Sequence, residues 1–449
     1  MTAPPALPPG PTQHPALQLL RYSFTPLAFL EDCARRYGET FSFHLAGFPQ
    51  MVMLTRPDDI RELFRGSPAV LHAGEGNRVL TALVGETSVL VLDDEPHARQ
   101  RRALLPPLKG ERMRQFFEAM QAEALATAQA WAGAGPVRAD RAMQRVTLRV
   151  ILRAVLGVDG GPAFDALETS IGRLLDVTRN PLALIMYTLF PPARFDGSRL
   201  LSFYRRRRVV DDALYHVIGT QRAQPAAARP PGLLSDLLEL TYDDGLAMTD
   251  REIRDAVITI LAAGHETTAL SLAWALERVL AHPAVLTHIE AELDTVCGSG
   301  LPGPEHLDRL VYLDACIRES LRARTILALV VRVLKDHFTV GGFTYPPGVV
   351  LCAAIHLLHQ RPDLYPEPQA FRPERFLERR FAPHEWDPFG GGNRACLGQA
   401  FALYEMKVVL ATLFKTLALA RPPGAVSRPV RRGIAIGPSD GCVVVATRK

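Results

Sequence analysis

The segment Phe389-Gly-Gly-Gly-Asn-Arg-Ala-Cys396-Leu-Gly398 concentrates the chemistry of this chain. Three consecutive glycines reach backbone conformations closed to other residues and let a bulky group approach the main chain. The cysteine stands just ahead of an expected helix start, where amide N–H groups and the helix dipole favour a thiolate. The residues alone leave two readings open. One is a glycine-rich turn over a buried structural cysteine; the other is a lone thiolate placed as an axial haem ligand. Phosphate cradling does not fit, because the string has neither the P-loop spacing nor Gly-x-Gly-x-x-Gly.

Three further groups carry polar chemistry. In Ala263-Gly-His-Glu-Thr-Thr268 the pair His265-Glu266 suggests a zinc protease, but that motif needs a second histidine where Ala269 stands. What remains is a small-residue notch, Ala263-Gly264, against which a flat ligand could lie, followed by the acid Glu266 and the hydroxyl of Thr267. A threonine hydroxyl there can bond a carbonyl one turn back. The plainer alternative is an exposed glutamate beside core threonines. Glu319 and Arg322 sit at i, i+3 on one helix face, a spacing usually found in solvated surface bridges. Arg375 follows in an aromatic frame, Phe371-Arg-Pro-Glu-Arg375-Phe376. His97 and Arg101, at i, i+4 after Pro96, could hold a pair of carboxylates. Otherwise Arg99, Arg101 and Arg102 form a basic helix surface.

The elements that must position these residues are legible in outline. A proline-rich leader over residues 1–15 reads as extended, and 41–54 reads as a β-hairpin around Gly47 and Pro49. Helical periodicity fills most of 57–220, broken by prolines that include Pro181 and Pro191-Pro192. Gln224 to Gly232 reads as a loop. Thr249-Asp-Arg-Glu252 fits a capping box, opening a helix of roughly 33 residues that runs to Pro283 and would cross the molecule. A helix is expected over 304–323, strands over 328–353, an irregular functional stretch over 362–395, and a last helix from 397 to 417. The sum is mainly α with a minor β part.

Composition narrows the class. With 449 residues, 48% hydrophobic and 22% charged, the chain is an ordinary globular protein rather than a disordered or coiled-coil one. A net charge of +4 is too small and dispersed for a nucleic-acid binder. The run Arg205–Arg208 reads as a solvated helix face. The six cysteines are scattered, with no Cys-x-x-Cys pair, which favours a reducing compartment over a disulfide framework. Neither a signal peptide nor a stretch of about 18 uninterrupted apolar residues stands out, so no membrane association is expected.

The order and spacing of these motifs resemble the cytochrome P-450 family of haem-thiolate monooxygenases, from about residue 90 to 400. The family's Phe-x-x-Gly-x-Arg-x-Cys-x-Gly pattern is met at Phe389, Gly392, Arg394, Cys396 and Gly398. Glu319 and Arg322 match its Glu-x-x-Arg pair, Arg375 its meander arginine, and Ala263 to Thr268 its oxygen-binding motif. His97 and Arg101 match its propionate-binding pair, and Arg332 resembles a further propionate arginine. The chain departs from the family in lacking a proline shortly after Arg322, where Ala323-Arg-Thr-Ile-Leu-Ala-Leu329 stands.

The resemblance implies a single haem-thiolate domain, with haem b between the long central helix and the helix after the cysteine loop. It implies Cys396 as iron ligand and Phe389, Arg394 and Gly398 as its neighbours at the cofactor. Glu266 and Thr267 would relay protons, and Ile260, Ala263, Ile326, Leu327 and Ala328 would line a pocket for a hydrophobic molecule. Fatty acid, terpenoid and polyketide substrates all fit. Dioxygen would be the oxidant, with electrons from a separate ferredoxin or flavodoxin and its reductase, in a cytoplasmic monomer of bacterial type. The electron donor is expected on a basic patch of Arg99, Arg102, Lys109 and Arg112. Alternatives on the same scaffold are a peroxide-driven peroxygenase and a non-enzymatic sensor or carrier.

Overall fold

Thr249 starts the element around which the molecule is built. Its hydroxyl accepts from the Glu252 N–H at 3.2 Å while the Glu252 carboxylate takes the Thr249 N–H at 2.8 Å, closing the expected capping box. In the computed structural model, which describes residues 7–106, 111–158, 160–178 and 201–449, the helix then runs Asp250–Leu280. It is long and apolar enough to cross a membrane, but 72% of its apolar window is buried inside the protein. A helix apolar on every side is a core helix when other helices surround it. Here Ala139–Leu156, Val311–Ala323 and Gln399–Thr416 pack around it.

A five-stranded sheet flanks this helical body, in the order Thr40–His44, Gln50–Leu54, Val350–Ala353, Val330–Leu334, Leu71–His72. The first two strands form the expected hairpin, Phe41 opposite Met53. Gln50–Leu54 pairs in parallel with Val350–Ala353, and Arg332 lies opposite Leu351 in the antiparallel pair beyond. The leader's described part lies along the hairpin, Ser42 donating to the carbonyls of Pro8 and Pro9. The leader's first six residues, Lys109 and the prolines at 181, 191 and 192 lie outside the described residues.

Several boundaries differ from the sequence reading. The expected 304–323 helix is a 3₁₀ turn, Pro304–Arg309, followed by Val311–Ala323. The last helix begins at Gln399 with Gly398 as its cap. Beyond it stand four strands, Leu417–Ala420, Pro429–Arg432, Ala435–Pro438 and Val443–Arg448, for which no alternation was read.

The loop before the His97 helix is fastened to the central helix. Asp255 accepts from the Thr87 N–H at 3.0 Å and its hydroxyl at 2.7 Å, and Ser88 bonds Thr259 at 2.7 Å. Gly85 has φ +91°, and a Cβ there would stand 2.1 Å from the Asp255 carboxylate, so only glycine fits.

Glu319 and Arg322 are fully buried, not a solvated bridge. The Arg322 fork donates twice to Glu319, both at 2.7 Å, and its remaining N–H groups reach the carbonyls of His359, Pro368 and Ala370. Glu319 also takes the Arg372 N–H at 3.0 Å, and Arg375 approaches it at 3.5 Å while donating to the Glu367 carbonyl. Removing one partner strands the other as an unpaired buried charge, which costs about 3–5 kcal/mol. Glu319→Ala is therefore expected to lower the denaturant midpoint strongly, with Glu319→Gln intermediate. Equal midpoints for Glu319→Ala and parent protein would refute the network's structural role.

Candidate functional site

The cysteine loop is shaped by what stands behind its glycines. A Cβ at Gly391 would meet the Phe64 ring at 2.1 Å, and one at Gly392, φ +67°, the Phe64 carbonyl at 2.2 Å. This packing and the Cys396 N–H bond to the Phe389 carbonyl, at 2.9 Å, fold the loop back on itself. Phe389 is half-buried, edge-on to Trp386 at 6.1 Å. The direction in which a Gly398 side chain would point is open. Cys396 is surrounded by protein, yet it is the exposed one among six free cysteines. A side chain both deep and accessible faces a cleft in the interior. Burial pushes its thiol up; the Gly398 N–H and the charge of Arg101 pull toward the thiolate.

Around this cleft the protein gathers an imidazole and three guanidiniums. His97 is buried on the helix Asp94–Leu104, and desolvation, with Arg394 and Arg101 nearby, holds it down to about 4, hence neutral at pH 7. Arg332 donates to the carbonyls of Val331 and Gly391; burial and then Arg394 depress its guanidinium to about 10. Arg394 pairs with Asp93 at 2.6 Å, with its Nε unpartnered and buried. Arg101 has no hydrogen-bond or ion-pair partner among the described residues, and desolvation lowers it also. One bonded carboxylate, Asp93, thus stands against three guanidiniums. Such a surplus suits a ligand that brings its own carboxylates, as the two propionates of haem do. With one soft thiolate donor beside it, the residues present fit that cofactor.

On the central helix, Ala263 is exposed in the midst of a buried stretch, with Glu266 and Thr267 half-buried beside it. Thr267 donates to the Ala263 carbonyl at 2.6 Å, the backbond expected of a threonine there. Gly264 does not share the open side: its Cβ would contact Ile151 at 3.5 Å, so the notch is Ala263 alone. His265 is buried against the neighbouring helix, its ring 3.1 Å from the Thr147 hydroxyl and its carbonyl accepting from it at 2.9 Å. Ile260, Ile326 and Ala328 are buried and Leu327 half-buried. None of these four, nor Ala263, lines the cavity of about 780 Å³ between the sheet, the loop before the His97 helix and the start of the central helix.

The proline departure has a local account. Arg324 lies over Trp274 at 5.1 Å and faces Glu277 at 3.9 Å, and burial holds it down to about 10. Ile326 is pinned by the Ile436 N–H at 2.8 Å, which fixes the chain without a proline. Of the expected basic patch, the two described members are charge-balanced. Arg99 pairs with Asp244 and stacks on Tyr242 at 3.6 Å, and Arg102 pairs with Glu95 and Asp243. The Lys109 and Arg112 side chains lie outside the described residues.

Sequence reasoning missed Asp93, whose carboxylate takes Arg394 and the Gly74 and Glu75 N–H groups. An acid just before the Asp94-Glu-Pro96 helix start was the available signal. It also missed Phe64, which nothing in the sequence marks.

The cytochrome P450 family profile matches residues 4–441. Cytochrome P450 135B1 of Mycobacterium tuberculosis is 38% identical over 97% of this chain and 90% of its own length. Cytochrome P450 138 of the same organism is 34% identical over 100% and 98%. Among solved structures, retinoic acid-bound cyanobacterial CYP120A1 superposes with a TM-score of 0.87 at 23% identity, covering 99% of this chain and 100% of that one. A thiol in an interior cleft, a surplus of buried and half-buried cations beside it and a whole-length match to the family lead to one conclusion: this chain belongs to the cytochrome P450 monooxygenases.

Proposed function

We propose that this protein is a haem b monooxygenase that inserts one atom of dioxygen into a hydrophobic small molecule, drawing electrons from a separate ferredoxin or flavodoxin in the cytoplasm. The observation that carries the reading is Cys396 in its cleft beside a cation cluster with too few carboxylates. Cys396 would hold the iron as thiolate, a charge that the Gly398 N–H and Arg101 favour. His97, Arg101, Arg332 and Arg394 would hold the propionates, and Phe389 packs beside Trp386 at the start of the loop. Haem held there by a thiolate would supply the activation of dioxygen.

The remaining work belongs to side chains. The Thr267 hydroxyl spends its proton on the Ala263 carbonyl, so its oxygen accepts. It could therefore hold a water that passes on a proton, with Glu266 one residue away as the replenishing acid. Ala263 leaves room for a flat ring, and Ile260, Ile326, Leu327 and Ala328 supply apolar surface around it. A proton-relay pair has no use in a peroxide-driven enzyme, whose oxidant brings its own protons, and this favours the dioxygen reading.

Replacing the ligand tests the assignment. Cys396→His is expected to abolish the thiolate signature of the reduced carbon monoxide complex and monooxygenation together; a retained signature would refute it. Thr267→Ala should still take up haem and bind substrate. Its product formed per NADPH should fall roughly a hundredfold, the low side of what positioned proton transfer contributes, with peroxide making up the difference. An unchanged ratio would remove Thr267 from the relay.

A further inference from the structure

The 780 Å³ cavity has an apolar side formed by Phe48, Met51, Val331, Val333 and Val350, and a charged side whose members nearly all cancel. Arg251 pairs with Glu86. Arg254 pairs with Asp255 and Asp211. Arg207 lies 3.4 Å from Asp211 and donates to the Ala82 carbonyl at 2.6 Å. Glu75 is taken by Lys335 at 3.0 Å. Arg78 is the exception: it lines the same cavity, is exposed, and has neither hydrogen-bond nor ion-pair partner among the described residues. Glu75, an electrostatic neighbour of Arg78, is already engaged by Lys335.

A cavity with an apolar wall and a single uncompensated guanidinium is complementary to a molecule with an apolar body and one anionic end. A planar fork suits a carboxylate, which it can bind in two parallel bonds. Neutral hydrocarbons would leave that guanidinium unused, and a cationic amphiphile would be repelled by it. We propose that Arg78 captures the carboxylate of an amphipathic acid, making long-chain carboxylic acids the substrate class. The proposal rests on the monooxygenase reading, and Arg78 acts in it as a specificity residue at the cavity, remote from the reacting atoms.

The test compares tetradecanoate with tetradecan-1-ol on the haem-loaded protein, by calorimetry and by the spin-state shift. The parent protein should bind the acid more tightly than the alcohol. R78Q should weaken the acid about tenfold, equivalent to ~1.4 kcal/mol, and leave the alcohol unchanged. R78E should reverse the preference, so that tetradecyltrimethylammonium outcompetes tetradecanoate; a charge swap that gains a ligand cannot be a folding defect. Equal acid affinity in parent and R78Q, or no acid binding by the parent, would overturn the proposal. The monooxygenase reading is judged separately, by the carbon monoxide spectrum and by product from any neutral compound. It survives if only the carboxylate preference fails.

Discussion

The buried pair Glu319–Arg322 fastens the start of the irregular stretch that leads to the cysteine. Residues 362–395 contain almost no regular structure, so their carbonyls and N–H groups need partners from elsewhere. The two side chains provide some of them: Arg322 serves the carbonyls of Pro368 and Ala370, and that of His359 just before the stretch, and Glu319 the Arg372 N–H. A loop that long would otherwise carry a large ordering cost. Tethered to a helix packed against the central one, it delivers Phe389 and Cys396 to a fixed place. The ion pair thus organises backbone, and its worth lies in the geometry it imposes on the loop.

The strand Val330–Leu334 shows how economically the sheet divides the interior. Alternation sends Arg332 toward the cysteine loop, where it meets the Gly391 carbonyl, and sends Val331 and Val333 into the cavity. A one-residue slip in register would exchange the two, placing a guanidinium among the apolar groups and a valine among the cations. The pairing of Arg332 with Leu351 and of Leu71 with Leu334 fixes that register from both sides.

How much of this was readable in the sequence depended on how local the cause was. The capping box at Thr249, the hairpin at 41–54 and the turn-rich approach to Cys396 are set by neighbours within a few residues, and they were legible. The family was legible too, through the spacing of its motifs. What failed was long-range. Arg99 and Arg102 look like free cations until Asp243 and Asp244 fold against them from about 140 positions away. Gly264 looks like half of a notch until Ile151 arrives beside it. The C-terminal strands are short and pair with distant segments, such as Val443 with Arg138, so their alternation is too brief to stand out.

Asp255 has a consequence for how such a protein can diversify. One carboxylate receives both polar groups of Thr87, crowds Gly85 and pairs with Arg254, which in turn grips Asp211 on the helix Leu201–Arg222. These five positions form an interlocked set, and altering any one alone strands the rest. Drift toward new ligands is thereby steered away from this frame and onto side chains that nothing else relies upon.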